Sequence, residues 1–407
     1  MAPYIPQNYL PNLKKYKYQA IDKSLISKYV LAEYWNQLVK IFPLTMAANM
    51  VTLLGSLHVI VAMVLNQIYA PNLVETCPSW VYFAYSACIW IYGSFDAVDG
   101  KQARRTGTAS PLGELFDHGC DSLVVSLIMT LFASTCQLGE SWWTVALVFL
   151  ALTNFYMSTM EEYHTHVLFL GYFSGPVEGI LSFSLATLAT GILGPAFWST
   201  SFYNVLPLPQ SIVDLLPPLT MAQSVVAGMG VVLVPTVYTS FSNVAAACRE
   251  QKKSVWGAFA DSIPFFASIG GCALWLYASP AILARHLVVF LMFVGFAFSY
   301  IVGRVIVAHV TGAPFPKLNR MHIPIFFGTA NAIAPSIGLS KMFVEEKEVV
   351  LIWICLAYTA IQYAHFALEV IDTICAYLDI NCLTIKHKSA INYGGAAPAA
   401  VVDKKTN

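Results

Sequence analysis

Leu287-Val-Val-Phe-Leu-Met-Phe-Val-Gly-Phe-Ala-Phe-Ser-Tyr-Ile-Val302 runs for 16 residues without a charge. The apolar run around it, residues 286–308, would be about 34 Å long as a helix, enough to cross roughly 30 Å of hydrocarbon. Nine similar runs lie along the chain, at 46–70, 79–95, 118–138, 142–160, 176–193, 218–243, 254–278, 322–344 and 349–378. They are continuously apolar rather than alternating with period two, which excludes a β-barrel. The run at 79–95 is short, and Pro324 and Pro335 interrupt the one at 322–344. The expected fold class is all-α, a polytopic membrane protein of about ten transmembrane helices.

Composition points the same way. Of 407 residues, 57% are hydrophobic and only 11% charged, where soluble domains carry about 25% charged. With a mean hydropathy of +0.63, a water-soluble fold would have to expose large apolar patches. Twenty-two basic residues balance 22 acidic ones, which excludes a nucleic-acid binder. Nine cysteines, none in a C-x-x-C arrangement, read as small buried hydrophobes rather than a disulfide framework or zinc site.

The first 45 residues lack the apolar core of a secretory signal. Between Lys14 and Lys40, Leu, Ile, Tyr and Trp mix with six lysines, a composition suited to an amphipathic helix in the membrane interface. An ordinary solvated helix is the alternative. Orientation follows from the basic residues. With both termini on one side, that side collects those six lysines together with Lys101, Arg104, Arg105, Arg249, Lys252, Lys253, Arg304, Lys317, Arg320, Lys386, Lys388, Lys404 and Lys405. The other side keeps only Arg285, Lys341 and Lys347, so both termini are expected in the cytosol. Residues 389–407 read as a disordered tail.

Acids are scarce, yet several gather between Asp96 and Asp121 at the cytosolic ends of the second and third runs. Residues three and four apart share a helix face. Asp96 and Asp99 therefore point together from one helix end, and Asp117 and Asp121 from the next. Four carboxylates converging near hydrocarbon repel one another, and a hard divalent cation resolves the conflict. Oxygen-only ligands select Mg²⁺ or Mn²⁺. Gly100 and Gly113 clear space for a ligand or a second helix. Arg104 and Arg105 offer guanidinium donors to phosphate oxygens. Together these residues describe a pyrophosphate site facing the cytosol.

Asp96-x2-Asp99-Gly100-x2-Ala103-Arg104-x8-Gly113-x3-Asp117-x3-Asp121 resembles the signature of the CDP-alcohol phosphotransferases, with every fixed position filled. The longer stretch from Ser94 to Ser122 is similar to the eukaryotic choline/ethanolamine phosphotransferases, as are Tyr16-Lys17-Tyr18-Gln19 and Asp22-Lys23-Ser24. The chain departs from the family at Ala48-Asn49, where Pro-Asn usually precedes a Thr, here Thr52. The resemblance implies transfer of phosphocholine or phosphoethanolamine from CDP-choline or CDP-ethanolamine to diacylglycerol, with release of CMP. It also implies a multi-pass protein of the endoplasmic reticulum membrane, or of the Golgi, with a cytosolic active site. Asp96, Asp99, Asp117 and Asp121 would hold Mg²⁺ or Mn²⁺, and Asn49, Gly100, Ala103, Arg104 and Gly113 would meet the nucleotide. The expected organisation is an N-terminal segment 1–45, catalytic helices 46–193, further transmembrane helices 194–378 and a tail 379–407. Whether the second half makes a homodimer stays open.

The proton of the acceptor hydroxyl needs a base. Asp121 is one candidate, but a carboxylate bound to a divalent cation is a weak base. His118, about 100° around the helix from Asp117, is the favoured one, because an imidazole suits proton transfer at neutral pH. Glu178, in Gly175-Pro176-Val-Glu178, reads either as a first-turn acid favouring the helix dipole or as a group that orients His118 or faces the alcohol head group. Glu161, Glu162, His164 and His166 resemble a metal site in their spacing but read better as an interfacial polar loop, and Arg304 and His309 read as side chains snorkelling to the interface. The alternatives are an inositol- or glycerophosphate-using member of the same family, and a transporter, which would spread its charges across several spans at mid-depth.

Overall fold

The structure, a computed structural model, describes residues 3–171, 175–205, 210–215, 217–344 and 346–387. In chain order the first helices are α1 (Ala32–Leu38), α2 (Ala48–Tyr69), α3 (Ser79–Thr106), α4 (Pro111–Thr135), α5 (Trp142–Thr165) and α6 (Pro176–Leu193). Two short turns, α7 (Phe202–Val205) and α8 (Gln210–Val213), lead to α9 (Met221–Glu250), α10 (Val255–Asp261) and α11 (Ile263–Ala278). The chain ends with α12 (Pro280–Arg285), α13 (Leu287–Thr311), α14 (His322–Ile333) and α15 (Glu346–Leu378). A two-stranded parallel sheet joins β1 (Ala20–Asp22) to β2 (Leu168–Leu170).

The run at 286–308 becomes α13, the helix most enclosed by protein. It is apolar all the way round, and a helix of that kind is stable only when surrounded. Lipid is as apolar as leucine, so helices associate in a membrane by close packing at small residues. Gly295 lets α13 meet α4, since a Cβ there would lie 2.5 Å from the Ser126 hydroxyl oxygen. Gly303 does the same toward α15, with the Phe366 ring 2.7 Å from a Cβ position. Around this axis α2 packs on α3 and α4, α3 on α6, and α5 on α9.

Among the described residues, eight helical segments are long and apolar enough to cross a membrane: α2, α4, α5, α6, α9, α10 with α11, α13 and α15. Two of the ten expected runs behave differently. The run at 79–95 is part of a 28-residue helix that continues to Thr106, so Asp96 and Asp99 lie inside α3 and not at its end. That helix stops where Gly107 adopts φ +65° and the N–H groups of Gly107 and Thr108 turn back to Arg104 and Ala103, a Schellman closure. The run at 322–344 yields only the 12 residues of α14 before a 3₁₀ turn at Ala334–Ile337. Pro335 removes a backbone donor there and prevents continuation.

The N-terminal segment is not one helix over 14–40. Asp22 accepts from the Ser24 N–H at 2.8 Å, and the Ser24 hydroxyl accepts from the Ser27 N–H at 3.0 Å. Such side-chain bonds compete with helix and favour a start after them. Upstream lie a 3₁₀ helix at Gln7–Lys14 and then β1, and a second helical stretch covers 25–41. Residues 379–387, expected to begin the tail, fold back instead, with Thr384 in an antiparallel bridge to Met46. The tail at 389–407 lies outside the described residues.

Candidate active site

The end of α3 is fixed to the chain before α2 by two side chains. Gln102, fully buried, donates to the carbonyls of Pro43 and Met46 at 2.9 and 3.0 Å. Arg105 donates to the Val39 carbonyl and to Gln102. Arg105 is thus a structural tie, whereas Arg104 is exposed, one of its nitrogens 3.6 Å from where a Cβ on Gly100 would stand. Across from it α4 begins at Pro111, with Ser110 as its N-cap. Gly113 keeps the first turn open toward Asn49, whose carbonyl oxygen is 3.7 Å from a Cβ position there. A helix N-terminus with free N–H groups favours an anion.

Between these ends Asp96, Asp99 and Asp117 bring a carboxylate oxygen each to within 4.8 Å of one another. Asp99 is 7% exposed and accepts from the Thr52 hydroxyl. Asp117 Oδ1 is buried without a hydrogen-bond partner. Like charges at this spacing, with an acceptor left unpaired, fit a hard cation and fit poorly with anything else. Asp121, one turn further along α4, lies against Asp96, and its Oδ1 accepts from the Tyr92 hydroxyl at 2.6 Å. Asp96 alone of the three also borders a small apolar cleft between α1, α3 and α6, with Trp35, Trp90, Val177, Ile180 and Leu181.

A second group lies on the next face of α4. One ligand atom each from Glu114, His118 and Glu162 fall within 4.8 Å of one another. Glu114 shares the His118 face of α4 because it lies four residues earlier, and Glu162 arrives from the last turn of α5. His309 of α13 is buried beside them, its Nε2 4.0 Å from Glu114 and 3.9 Å from Glu162. Tyr16 donates to Glu114 and meets His309 at 3.2 Å. Burial and the neighbouring Glu114 carboxylate hold the Tyr16 phenol above the ordinary range, so it remains a donor.

Several expectations change here. Glu161, Glu162 and His164 do not form an interfacial loop but are buried, at 5%, 3% and 7% exposure. Glu161 accepts from Asn243 at 2.6 Å, and His164 lies 3.6 Å from Asp261. His309 does not snorkel, and the Arg304 guanidinium lies over the Tyr4 ring at 5.5 Å. Glu178 accepts from the Ser24 hydroxyl at the start of α6, so it grips the N-terminal segment; the carboxylates grouped with His118 are Glu114 and Glu162. The one signal for Glu162 was its place in a charged cluster at the end of an apolar run. Tyr16 lies in the family-like stretch at 16–19, whereas nothing in the spacing points to Tyr92.

The chain is similar to known proteins over nearly its whole length. The sequence profile of the CDP-alcohol phosphatidyltransferase family matches residues 45–206, which include both acid groups. Choline/ethanolaminephosphotransferase 2 of Arabidopsis thaliana is 37% identical over 400 residues, covering 95% of this chain and 100% of the relative. Cholinephosphotransferase 1 of Saccharomyces cerevisiae is 34% identical over 401 residues, covering 96% and 100%. Choline/ethanolaminephosphotransferase 1 of the same yeast is 34% identical over 397 residues, covering 95% and 99%.

Proposed function

This chain belongs to the CDP-alcohol phosphatidyltransferase family, and from that premise we propose that it is a choline/ethanolamine phosphotransferase acting on CDP-choline or CDP-ethanolamine and diacylglycerol. The observation that carries the proposal is the convergence of Asp96, Asp99 and Asp117, with an unpaired Asp117 oxygen. Asp96, Asp99, Asp117 and Asp121 would hold Mg²⁺ or Mn²⁺, which when bound neutralises the pyrophosphate charge.

The remaining chemistry belongs to the chain's own side chains. Arg104 and the N-terminus of α4 bind phosphate oxygens, and Asn49 sits beside Gly113 where the nucleotide enters. Gly100, Ala103 and Gly113 leave the room it needs. Diacylglycerol presents its hydroxyl from the apolar cleft, in line with the phosphorus that bears the alcohol. As the new P–O bond forms and the bond to CMP breaks, His118 takes the hydroxyl proton. Glu114 and Glu162 hold the imidazole and balance the charge it gains. Glu178 acts at one remove, by fixing the N-terminal segment through Ser24. The asymmetry of basic residues supports a cytosolic active site and cytosolic termini in a membrane of the endoplasmic reticulum.

Purified protein with diacylglycerol and each CDP-alcohol tests the reading. CMP and phospholipid should appear in equal amounts when Mg²⁺ is present. Absence of both products with either donor would overturn it.

A further inference from the structure

We propose that the segment after α15, Asp379–His387, is the outer wall of the nucleotide cleft and that Cys382 on it is a positioning residue for Asn49. The proposal rests on the functional reading above. α15 has 33 residues, about 50 Å of helix against roughly 30 Å of hydrocarbon. The helix is longer than a span needs, and the chain that leaves its end lies beside the start of α2. There Asp379 takes φ +56° and reverses the chain. Lys386 and His387 both bond the Asp379 carboxylate, closing residues 379–387 into a loop. The loop is docked, since Thr384 bridges Met46 just before α2.

That docking acts on Asn49. Its amide nitrogen donates to Cys382 Sγ at 3.8 Å, while its carbonyl oxygen faces Gly113 at the start of α4. A primary amide free to rotate can present either its NH₂ or its oxygen. With the NH₂ turned to sulfur, the oxygen is what Asn49 shows the cleft. The wall thus sets the amide as an acceptor, matched to a donor on the ligand such as a ribose hydroxyl or a base amino group. Deeper in, Tyr363 of α15 donates to the Gly119 carbonyl at 3.1 Å, between Asp117 and Asp121. The second half of the chain thus braces the catalytic helix as well as the nucleotide cleft.

Steady-state kinetics and hydrogen–deuterium exchange on the full-length protein test this. Cys382→Ala should raise the KM for CDP-choline about fivefold, the worth of one weak positioning bond, with kcat and the KM for diacylglycerol unmoved. Cys382→Ser should behave like the parent, because its hydroxyl still accepts the Asn49 N–H. In an Asn49→Ala background Cys382→Ala should add nothing, since both act through one amide. Exchange across 379–387 in the parent should slow on adding CDP-choline or CMP with Mg²⁺, and not on adding diacylglycerol. An unchanged KM in Cys382→Ala, additivity with Asn49→Ala, or exchange indifferent to nucleotide would each overturn the proposal. If the parent releases no CMP from CDP-choline, the functional reading fails, and slowed exchange with CMP alone then upholds or sinks the wall by itself.

Discussion

At Asp121 one phenol narrows what the carboxylate can do. Its Oδ1 already accepts from Tyr92 at 2.6 Å, and an oxygen so engaged is a poorer proton acceptor than an imidazole beside two carboxylates. In the proposed scheme the base is His118, with Asp121 the alternative. His118→Ala should lose about 10²–10⁴ in turnover, the usual worth of a positioned base, while binding CDP-choline nearly as tightly as the parent. Turnover and nucleotide affinity measured together decide it, and parent-like turnover would hand the role to Asp121. Tyr92→Phe leaves Asp121 in place without its donor, and a turnover about tenfold lower is expected, equivalent to about 1.4 kcal/mol of barrier. The Asp motif was legible because its spacing repeats a helix face. Tyr92 was not, because it lies 29 residues from its partner in sequence and only the packing of α3 on α4 brings them together.

Elements are held in register by small residues. Gly295 and Gly303 on α13 admit Ser126 of α4 and Phe366 of α15 into contact. Replacing Gly303 with Val inserts a branched side chain where even a Cβ would lie 2.7 Å from a ring carbon. Overpacking of this kind costs about 1–3 kcal/mol or more. The detergent-purified variant should melt several degrees below the parent, whereas Gly228→Ala, with open space around that Cβ position, should leave the melting temperature unchanged. Helix existence was readable from apolar runs, but several boundaries were not. α3 outlasts its apolar run by 11 residues because polar side chains are tolerated once they face a site. The N-terminal segment breaks because Asp22 and Ser24 bond their own backbone.

For the molecule as a whole, the acid trio sets the dependence on a cation. Removing divalent ions with EDTA should abolish CMP release, and Mg²⁺ or Mn²⁺ should restore it. Ca²⁺ should restore it poorly, because its longer bonds and looser geometry misplace phosphates. Asp117→Ala should be inactive yet still insert and purify, since loss of one acid relieves repulsion among the rest. Its melting temperature should no longer rise on adding Mg²⁺, as expected when a ligand that stabilises the native state has lost its site. A parent whose turnover survives EDTA would remove the cation from the scheme.

The order of residues along the chain sufficed for the membrane class, eight of the ten expected spans and the four-Asp motif. Each of these is local: hydrophobicity sums over consecutive residues, and positions three or four apart share a face whatever the rest of the chain does. Tertiary structure alone decided which groups surround His118. Glu114 is four residues away on the same helix, but Glu162, His309 and Tyr16 come from three distant segments. It also decided that α15 and the loop behind it reach Gly119 and Asn49, from 244 and 333 residues away. Contacts over such separations depend on how whole helices pack, and helix packing in a membrane turns on small residues and shape complementarity, to which hydrophobic periodicity is blind.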